Sequence, residues 1–227
     1  MKNLQKSRKK KKKNSLSRHQ PFQIIGYHSC DREIGRKVLN GEACLNPSNN
    51  AWDWLGGGVY FWEQNPHRAL EYSIEVANGT QFNKVKIKDP FVLGAIIQLG
   101  NCLNLVESQS LQILEEAYAG LQKLLSEAGK QMPENDGNNR KLDCAVIRYV
   151  HQSRIDIGET PYDTIRSPFD EGSKVYPGAS FTSRNHIQVC VINPSLIKGY
   201  FLPTPINEFN PYLLKDFTPA VSTYQPE

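Results

Sequence analysis

Residues 55–63 of the chain read LGGGVYFWE, and this stretch constrains the fold more than any other. Its three glycines carry no Cβ atom, so a second backbone or a ligand can approach them closely. The residues that follow are β-branched or aromatic, as in a short strand. The glycines match neither the GxGxxG dinucleotide fingerprint nor the GxxxxGK[ST] phosphate loop. The stretch therefore predicts a glycine-rich turn leading into a strand, and it disfavours a Rossmann dehydrogenase and a P-loop nucleotidase.

Strand and helix signals alternate irregularly on both sides of this stretch. A β-branched and aromatic run at 22–28 predicts a first strand, and the apolar run 91–99 predicts a buried central strand. Asn65 followed by Pro66 predicts the start of a helix. Helical periodicity recurs at 31–41, 111–125 and 142–150, and strand periodicity recurs at 187–192. Because short strands mix with helical inserts in no regular array, the predicted fold class is α+β.

Basic residues are concentrated at the start of the chain. Nine of the 27 lysines and arginines lie in residues 1–18, which contain no acidic residue, and the rest of the chain carries a net charge of −5. Such a block fits a solvated arm, and it also attracts polyanions such as RNA, DNA or an anionic lipid surface. We therefore separate a basic flexible tail (1–20) from a single domain (21–203). The prolines near the end of the sequence predict a proline-rich C-terminal arm (204–227).

The composition excludes several classes of protein. No apolar run approaches the roughly 20 residues of a membrane-spanning helix, and no apolar segment follows the basic start as in a secretory signal. We therefore predict a cytoplasmic protein without a membrane span. The five cysteines are scattered and form no disulfide framework, and neither they nor the five histidines have metal-ligand spacing. No metal site is predicted.

Four short motifs place polar or aromatic side chains where chemistry can occur. His28 and Ser29 end the first predicted strand, and residues 58–61 form the second. Tyr72 lies on the helix after Pro66, and residues 186–194 read HIQVCVINP. Alternation along this last strand puts His186 and Gln188 on one face. Each motif also fits a structural role, as a strand-end histidine, a glycine turn, a core aromatic residue or an exposed edge strand.

Taken in order, the motifs resemble the ADP-ribosyltransferase superfamily, most closely its branch of diphtheria-toxin-like and poly(ADP-ribose)-polymerase-like proteins. His28-Ser29 matches the histidine and small residue of the first strand in that branch. Residues 58–61 match its Gly-x-Tyr-Phe strand, and residues 69–72 match its Ala-x-x-Tyr helix. Residues 191–200 match its closing Asn-Pro and aromatic residue. The resemblance extends over residues 22–202.

The resemblance implies a single domain in which two small antiparallel sheets form a cleft for NAD, the ADP-ribose donor. It implies that His28 holds an NAD ribose by donating a hydrogen bond, and that Ser29 or nearby backbone grips the carboxamide. Tyr60 and Tyr72 would sandwich the nicotinamide ring, with Gly58 allowing the ligand to approach closely.

One position departs from the family pattern, because Gln188 stands where the family has its catalytic glutamate. Loss of nicotinamide builds positive charge on the ribose, which a carboxylate stabilises and a neutral amide does not. Polymer synthesis is therefore disfavoured, and single ADP-ribose transfer to a macromolecule (RNA, DNA or protein) is predicted. We expect His186 or Glu63 to activate the acceptor.

The resemblance also implies a setting, that of a bacterial toxin or defence effector held by an antitoxin or another inhibitory partner. Two other functions stay open at this point. One is an inactive module that binds NAD, ADP-ribose or a partner without turnover. The other is a cysteine hydrolase using Cys30 and a histidine such as His28, although no orienting Asn or Asp stands out.

Overall fold

The computed structural model describes residues 23–79, 86–137 and 139–215. The predicted basic tail lies outside the described residues, as do residues 216–227 of the predicted C-terminal arm. The strands are β1 Gln23–Asp31, β2 Val59–Glu63, β3 Pro90–Gln98, β4 Cys102–Asn104, β5 Asn135–Asp136, β6 Asn139–Arg140, β7 Thr164–Phe169, β8 His186–Val191 and β9 Ile197–Phe201. The α-helices are α1 Arg32–Leu39, α2 Pro66–Ala77, α3 Ser108–Glu127, α4 Lys141–Asp156 and α5 Ile206–Phe209.

The described strands form one large mixed sheet and one small hairpin. The large sheet has seven strands in the order β4-β7-β8-β2-β1-β3-β9, and β5 pairs with β6. Only β4 and β7 run parallel among the pairs of the large sheet. The fold is therefore mixed α/β, but the prediction of two small antiparallel sheets is wrong. The two halves are joined because β2 forms hydrogen bonds with both β1 and β8.

The sheet is nearly divided between β1 and β2. β1 pairs with β3 at nine register positions, but with β2 only at Gly26↔Glu63 and Tyr27↔Trp62. Gly26 permits this close pairing, since a Cβ atom there would lie 2.8 Å from the Cβ of Phe61. Beyond Tyr27 and Trp62 the ladder stops, and we call this part of the β1–β2 boundary the open seam.

Local capping explains where the first two helices begin. The side chain of Asp31 accepts a hydrogen bond from the backbone N–H of Glu33, at the start of α1. Asn65 accepts one from the N–H of Arg68 at 2.9 Å, with Pro66 at the first helical position of α2. Both helix starts agree with the sequence prediction.

The two faces of the large sheet are covered differently. On one face, Phe61, Leu93 and Val189 are fully buried beneath α1 and the C-terminal segment. Helices α3 and α4 cover the opposite face over β7 and β8, and α2 covers it over β1 to β3. Gln188 registers with Trp62, so it lies on this helix-covered face.

The first part of the predicted C-terminal arm is helical and packed. Helix α5 begins directly after Pro205, and a 3₁₀ helix over Pro211–Lys215 begins at a proline. The fixed φ of proline favours helix initiation. Asn210 is fully buried, and its side chain bonds to both the N–H and the carbonyl of Val92. These residues therefore belong to the domain.

Candidate functional site

His28 lies at the open seam. Its Nδ1 is 2.8 Å from the carbonyl oxygen of Tyr60, across the gap between β1 and β2. A carbonyl only accepts, so Nδ1 carries the hydrogen, and burial lowers the pKa of His28, which keeps the ring neutral. Nε2 is then a hydrogen-bond acceptor. The predicted donation to a ribose hydroxyl does not fit this tautomer, in which the free ring nitrogen only accepts a hydrogen bond.

Ser29 connects β1 to α2. Its buried hydroxyl donates a hydrogen bond to the carbonyl of Ala69. The side chain predicted to grip the carboxamide is thus already engaged in the protein. A carboxamide at this position would have to bond to backbone groups along the open seam.

Gly58 and Tyr60 hold the glycine loop against β8. A Cβ atom on Gly58 would lie 2.5 Å from the sulfur of Cys190, so this position requires glycine for strand contact. The Tyr60 hydroxyl donates to the carbonyl of Gly56 at 2.7 Å and accepts from the N–H of Leu55 at 3.0 Å. Burial raises the pKa of Tyr60. Both residues therefore stabilise the loop.

The predicted sandwich of Tyr60 and Tyr72 is not assembled in this structure. Tyr60 belongs to the cluster under α3 and α4, whereas Tyr72 packs in the cluster under α2. Trp62 is the ring beside Tyr72, with their centroids 5.1 Å apart. Sequence reasoning missed Trp62, although strand alternation puts it on the same face as Tyr60.

Gln188 lies at the centre of the helix-covered face. It is half-buried between Trp62 on β2 and Ser167 on β7, its register neighbours. Its side chain makes no hydrogen bond within the described ranges, so the amide is available to a ligand.

His186 precedes Gln188 by two residues on the same strand face, about 6.6 Å along β8. Its side chain is 1% exposed, and its Nδ1 lies 2.7 Å from the carbonyl oxygen of Arg184. That contact assigns the hydrogen to Nδ1, while burial lowers the pKa of His186. Nε2 is therefore a buried acceptor.

Arg68 and Glu171 form an ion pair that the sequence did not suggest. The Arg68 side chain is 4% exposed, and its Nη2 lies 3.2 Å from each carboxylate oxygen of Glu171. Its guanidinium carbon lies 6.0 Å from the ring centre of Trp62 and 5.9 Å from that of Tyr72. The pair joins α2 to the segment between β7 and β8. No local pattern in a single sequence signals a contact between residues this far apart.

Buried polar atoms without hydrogen-bond partners lie on Trp62, the register neighbour of Gln188, and on the two side chains that flank it. Across the described part of the chain, they include Trp62 Nε1, Arg68 Nε and His186 Nε2. Nη1 of Arg68 makes no hydrogen bond but lies 3.8 Å from Glu71 and 3.7 Å from Glu75. Leaving such groups unpaired costs about 1–3 kcal/mol each, so proteins normally pair them with protein, water or a ligand. They are donors and acceptors that a polar ligand beside Gln188 would meet.

Glu63 does not join this site. Both of its carboxylate oxygens accept from Arg166, at 2.6 and 3.0 Å, and its side chain is 11% exposed. It follows Trp62 in β2, so it points to the sheet face opposite Gln188. The prediction that Glu63 activates an acceptor is therefore corrected, because Arg166 neutralises its charge and occupies both of its oxygens.

Cys30 is unsuited to nucleophilic catalysis. The side chain is buried, and burial raises the pKa of its thiol to about 12. The reactive form of cysteine is the thiolate, which is scarce at such a pKa. The geometry thus disfavours a cysteine hydrolase.

Comparisons with known proteins assign no activity. No family model matches the chain, and no solved structure matches it. The chain is 26% identical over 202 residues to an uncharacterized protein of Methanocaldococcus jannaschii, covering 81% of this chain and 90% of that protein. No helix in the described ranges is long and apolar enough to cross a membrane. Nor do these ranges contain a group of three or more His, Cys, Asp or Glu residues arranged to hold a metal ion.

Proposed function

We propose that this chain is an NAD-dependent ADP-ribosyltransferase that attaches single ADP-ribose units to a macromolecular acceptor. The observation that carries the proposal is the assembly of the dispersed motifs around consecutive strands. His28 contacts Tyr60 across the open seam, Gln188 registers with Trp62, and Trp62 packs against Tyr72. Residues separated by up to 160 positions thus border the same three strands. His28 lies on the face of Phe61, and Trp62 and Gln188 lie on the helix-covered face.

The open seam supports binding of the donor. His28 Nε2 accepts a hydrogen bond from a ribose hydroxyl of NAD. The backbone of β1 beyond Tyr27 is not bonded to β2 there, so it is free to bond to the carboxamide. Tyr72, which is half-buried beside the buried ring of Trp62, supplies aromatic surface for the nicotinamide ring.

The groups beside Gln188 support chemistry at the ribose. In the reaction, the bond between ribose C1′ and the nicotinamide nitrogen breaks, and its electron pair leaves with nicotinamide. The Gln188 carbonyl accepts from the ribose 2′-hydroxyl and directs its dipole at the developing positive charge. The acceptor nucleophile then bonds to C1′ and releases a proton.

His186 is suited to receive that proton. Its Nε2 is an unpartnered acceptor on the strand face of Gln188, and its lowered pKa keeps it unprotonated at neutral pH. The carboxylate of Glu171 lies 3.9 Å from Nδ1, on the other side of the ring. It stabilises the imidazolium that forms when Nε2 takes a proton.

A second function is favoured by one specific feature, the neutral amide at position 188. Without a carboxylate, the site is also suited to bind NAD or ADP-ribose and stop there. Such a module would share the open seam and the aromatic surface of the enzyme. The two functions differ in whether nicotinamide is released.

The test follows nicotinamide release from NAD by the purified full chain, alongside NAD binding by calorimetry. If the chain is an enzyme, the wild type should release nicotinamide. The Gln188→Ala variant should release it about tenfold or more slowly while still binding NAD. Gln188→Glu, which restores a carboxylate, should release nicotinamide faster than the wild type. Binding without release in all three proteins would establish the binding module instead, and absence of binding would refute both.

A further inference from the structure

A cavity of about 430 Å³ lies on the helix-covered face, bounded by α3, α4, β7 and the loop before β2. Its volume is within the range of small-ligand sites. Aromatic walls come from Trp54, Tyr118 and Phe169, with Leu114 and Val146 between them. The shape and the apolar lining suit a flat group.

The cavity adjoins the residues that the proposed function requires. Ser167 lines it and is the register partner of Gln188, which puts the Cβ atoms of the two residues about 4.5–5.5 Å apart. Phe169 lines it too, and its ring centre is 5.7 Å from that of His186. A group held in the cavity therefore lies beside the amide and the imidazole expected to act on the ribose.

The polar groups of the cavity are mainly hydrogen-bond acceptors. They are the carboxylates of Glu115 and Asp143 and the hydroxyl of Ser167. Oδ1 of Asp143 accepts from Asn135, which leaves its second oxygen available. Flat groups that present N–H donors to such acceptors include the bases with an exocyclic amino group: adenine, cytosine and guanine.

The guanidinium of Arg140 lies 4.6 Å from the ring centre of Trp54, and its Nε is buried without a hydrogen-bond partner. This places positive charge next to the cavity. Residues 1–18 add nine basic side chains to a body that is otherwise acidic. Stacking surface combined with positive charge is the arrangement that binds single-stranded nucleic acid.

We propose that the cavity receives an unpaired nucleobase with an exocyclic amino group, and that this amino nitrogen is the ADP-ribose acceptor. The inference rests on the proposed function, since it names the substrate of the same site. The amino nitrogen forms the new bond to ribose C1′ as nicotinamide leaves with its electron pair. The proton displaced from the nitrogen passes to His186 Nε2.

The experiment incubates the full chain with NAD labelled in its adenylate part and single-stranded 12-mers of one base each. RNA oligomers of A, C, G and U and DNA oligomers of A, C, G and T are tested separately. We expect label on A, C or G oligomers and none on U or T oligomers, which lack the exocyclic amino group. Comparison of the RNA and DNA oligomers identifies which nucleic acid supplies the base. Label on U or T oligomers equal to that on the amino-bearing oligomers would overturn the inference.

Variants of the cavity separate the acceptor site from the donor site. Tyr118→Ala removes one stacking wall, and Leu114→Trp fills the space; each should lower oligomer labelling by about tenfold or more. Leu124→Ala, on an exposed part of α3 outside the cavity, is the matched control. Nicotinamide release without oligomer present should stay within about twofold of the wild type in all three.

The failures of the two proposals are distinguishable. Nicotinamide release with unlabelled oligomers would refute the nucleobase cavity and leave the proposed function intact. Neither release nor transfer by the wild type would refute both. Labelling that does not respond to Tyr118→Ala and Leu114→Trp would place the acceptor elsewhere.

Discussion

The two boundaries of β1 differ sharply. On one side, β1 pairs with β3 over its whole length, from Gln23↔Gln98 to Asp31↔Pro90, and the paired residues are largely buried. On the other side, pairing with β2 stops after Tyr27↔Trp62. A complete ladder satisfies its backbone groups and leaves nothing for a ligand, whereas an interrupted one leaves donors and acceptors to be used. The first boundary therefore stabilises the fold, and the second leaves backbone groups available to a ligand.

The largest effect is expected at the closed boundary. Leu93, opposite His28 in β3, is fully buried. Leu93→Ala should lower the free energy of unfolding by about 2–5 kcal/mol, through lost burial and the cavity that it leaves. Urea denaturation measures the change. Ile96→Ala, at a position 41% exposed on the same strand, should change it by less than about 0.5 kcal/mol; equal losses would show that burial on β3 does not decide stability.

The next effect is expected at the open seam, in activity. His28→Ala removes the acceptor Nε2 and should lower nicotinamide release by about a hundredfold. His28→Asn offers a sharper variant, because its amide N–H can replace Nδ1 toward the Tyr60 carbonyl but supplies no Nε2. We expect the His28→Asn protein to keep the wild-type unfolding free energy yet remain as inactive as the alanine variant. Activity recovered by asparagine would mean that the contact with Tyr60, and not the ligand, explains the role of His28.

A smaller effect separates Tyr60 from the site. Tyr60→Phe removes the hydroxyl that bonds to Leu55 and Gly56 but keeps the ring. The unfolding free energy should fall by about 1–2 kcal/mol, because two backbone groups of the glycine loop lose their partner. NAD kinetics should stay within about twofold of the wild type. A large rise in KM for NAD at unchanged stability would instead return Tyr60 to the donor site.

The smallest effect is a pH dependence of stability. Burial lowers the pKa of His28 and His186 below the ordinary value of 6.5, so the unfolded chain binds more protons than the folded chain just below that pH. Their contribution is complete above about pH 6.5 and is lost as the pH falls toward the folded pKa values. Unfolding titrations between pH 5 and 8 should show this decline. In His28→Gln the decline should be weaker, and an unchanged slope would contradict burial of a neutral imidazole at the seam.

Much of the fold follows from local signals. Helix α2 begins where Asn65 and Pro66 predict, because capping is a local interaction. Strands β4 and β9 have only three and five residues and no strong alternation, so periodicity missed them. The two halves join into one sheet through the register pairs Gly26↔Glu63 and Tyr27↔Trp62. No local pattern in a single sequence predicts this pairing.

For the candidate site too, the residues on recognisable strands were predictable and the contacts made through tertiary packing were not. His28 and Gln188 could be predicted as candidates because their strands carry recognisable neighbours. Trp62 was missed as the partner of Tyr72, because the choice between it and Tyr60 depends on how α2 packs over the sheet. Arg68 and Glu171 are 103 positions apart in the sequence and meet only in the tertiary structure.

The most direct test of the central claim is transfer of labelled ADP-ribose from NAD to a whole-cell extract separated into protein, RNA and DNA fractions. We predict label in a nucleic-acid fraction with the wild-type protein, and loss of that label with His28→Ala and Gln188→Ala. No label in any fraction, from protein that binds NAD and is folded, would contradict it.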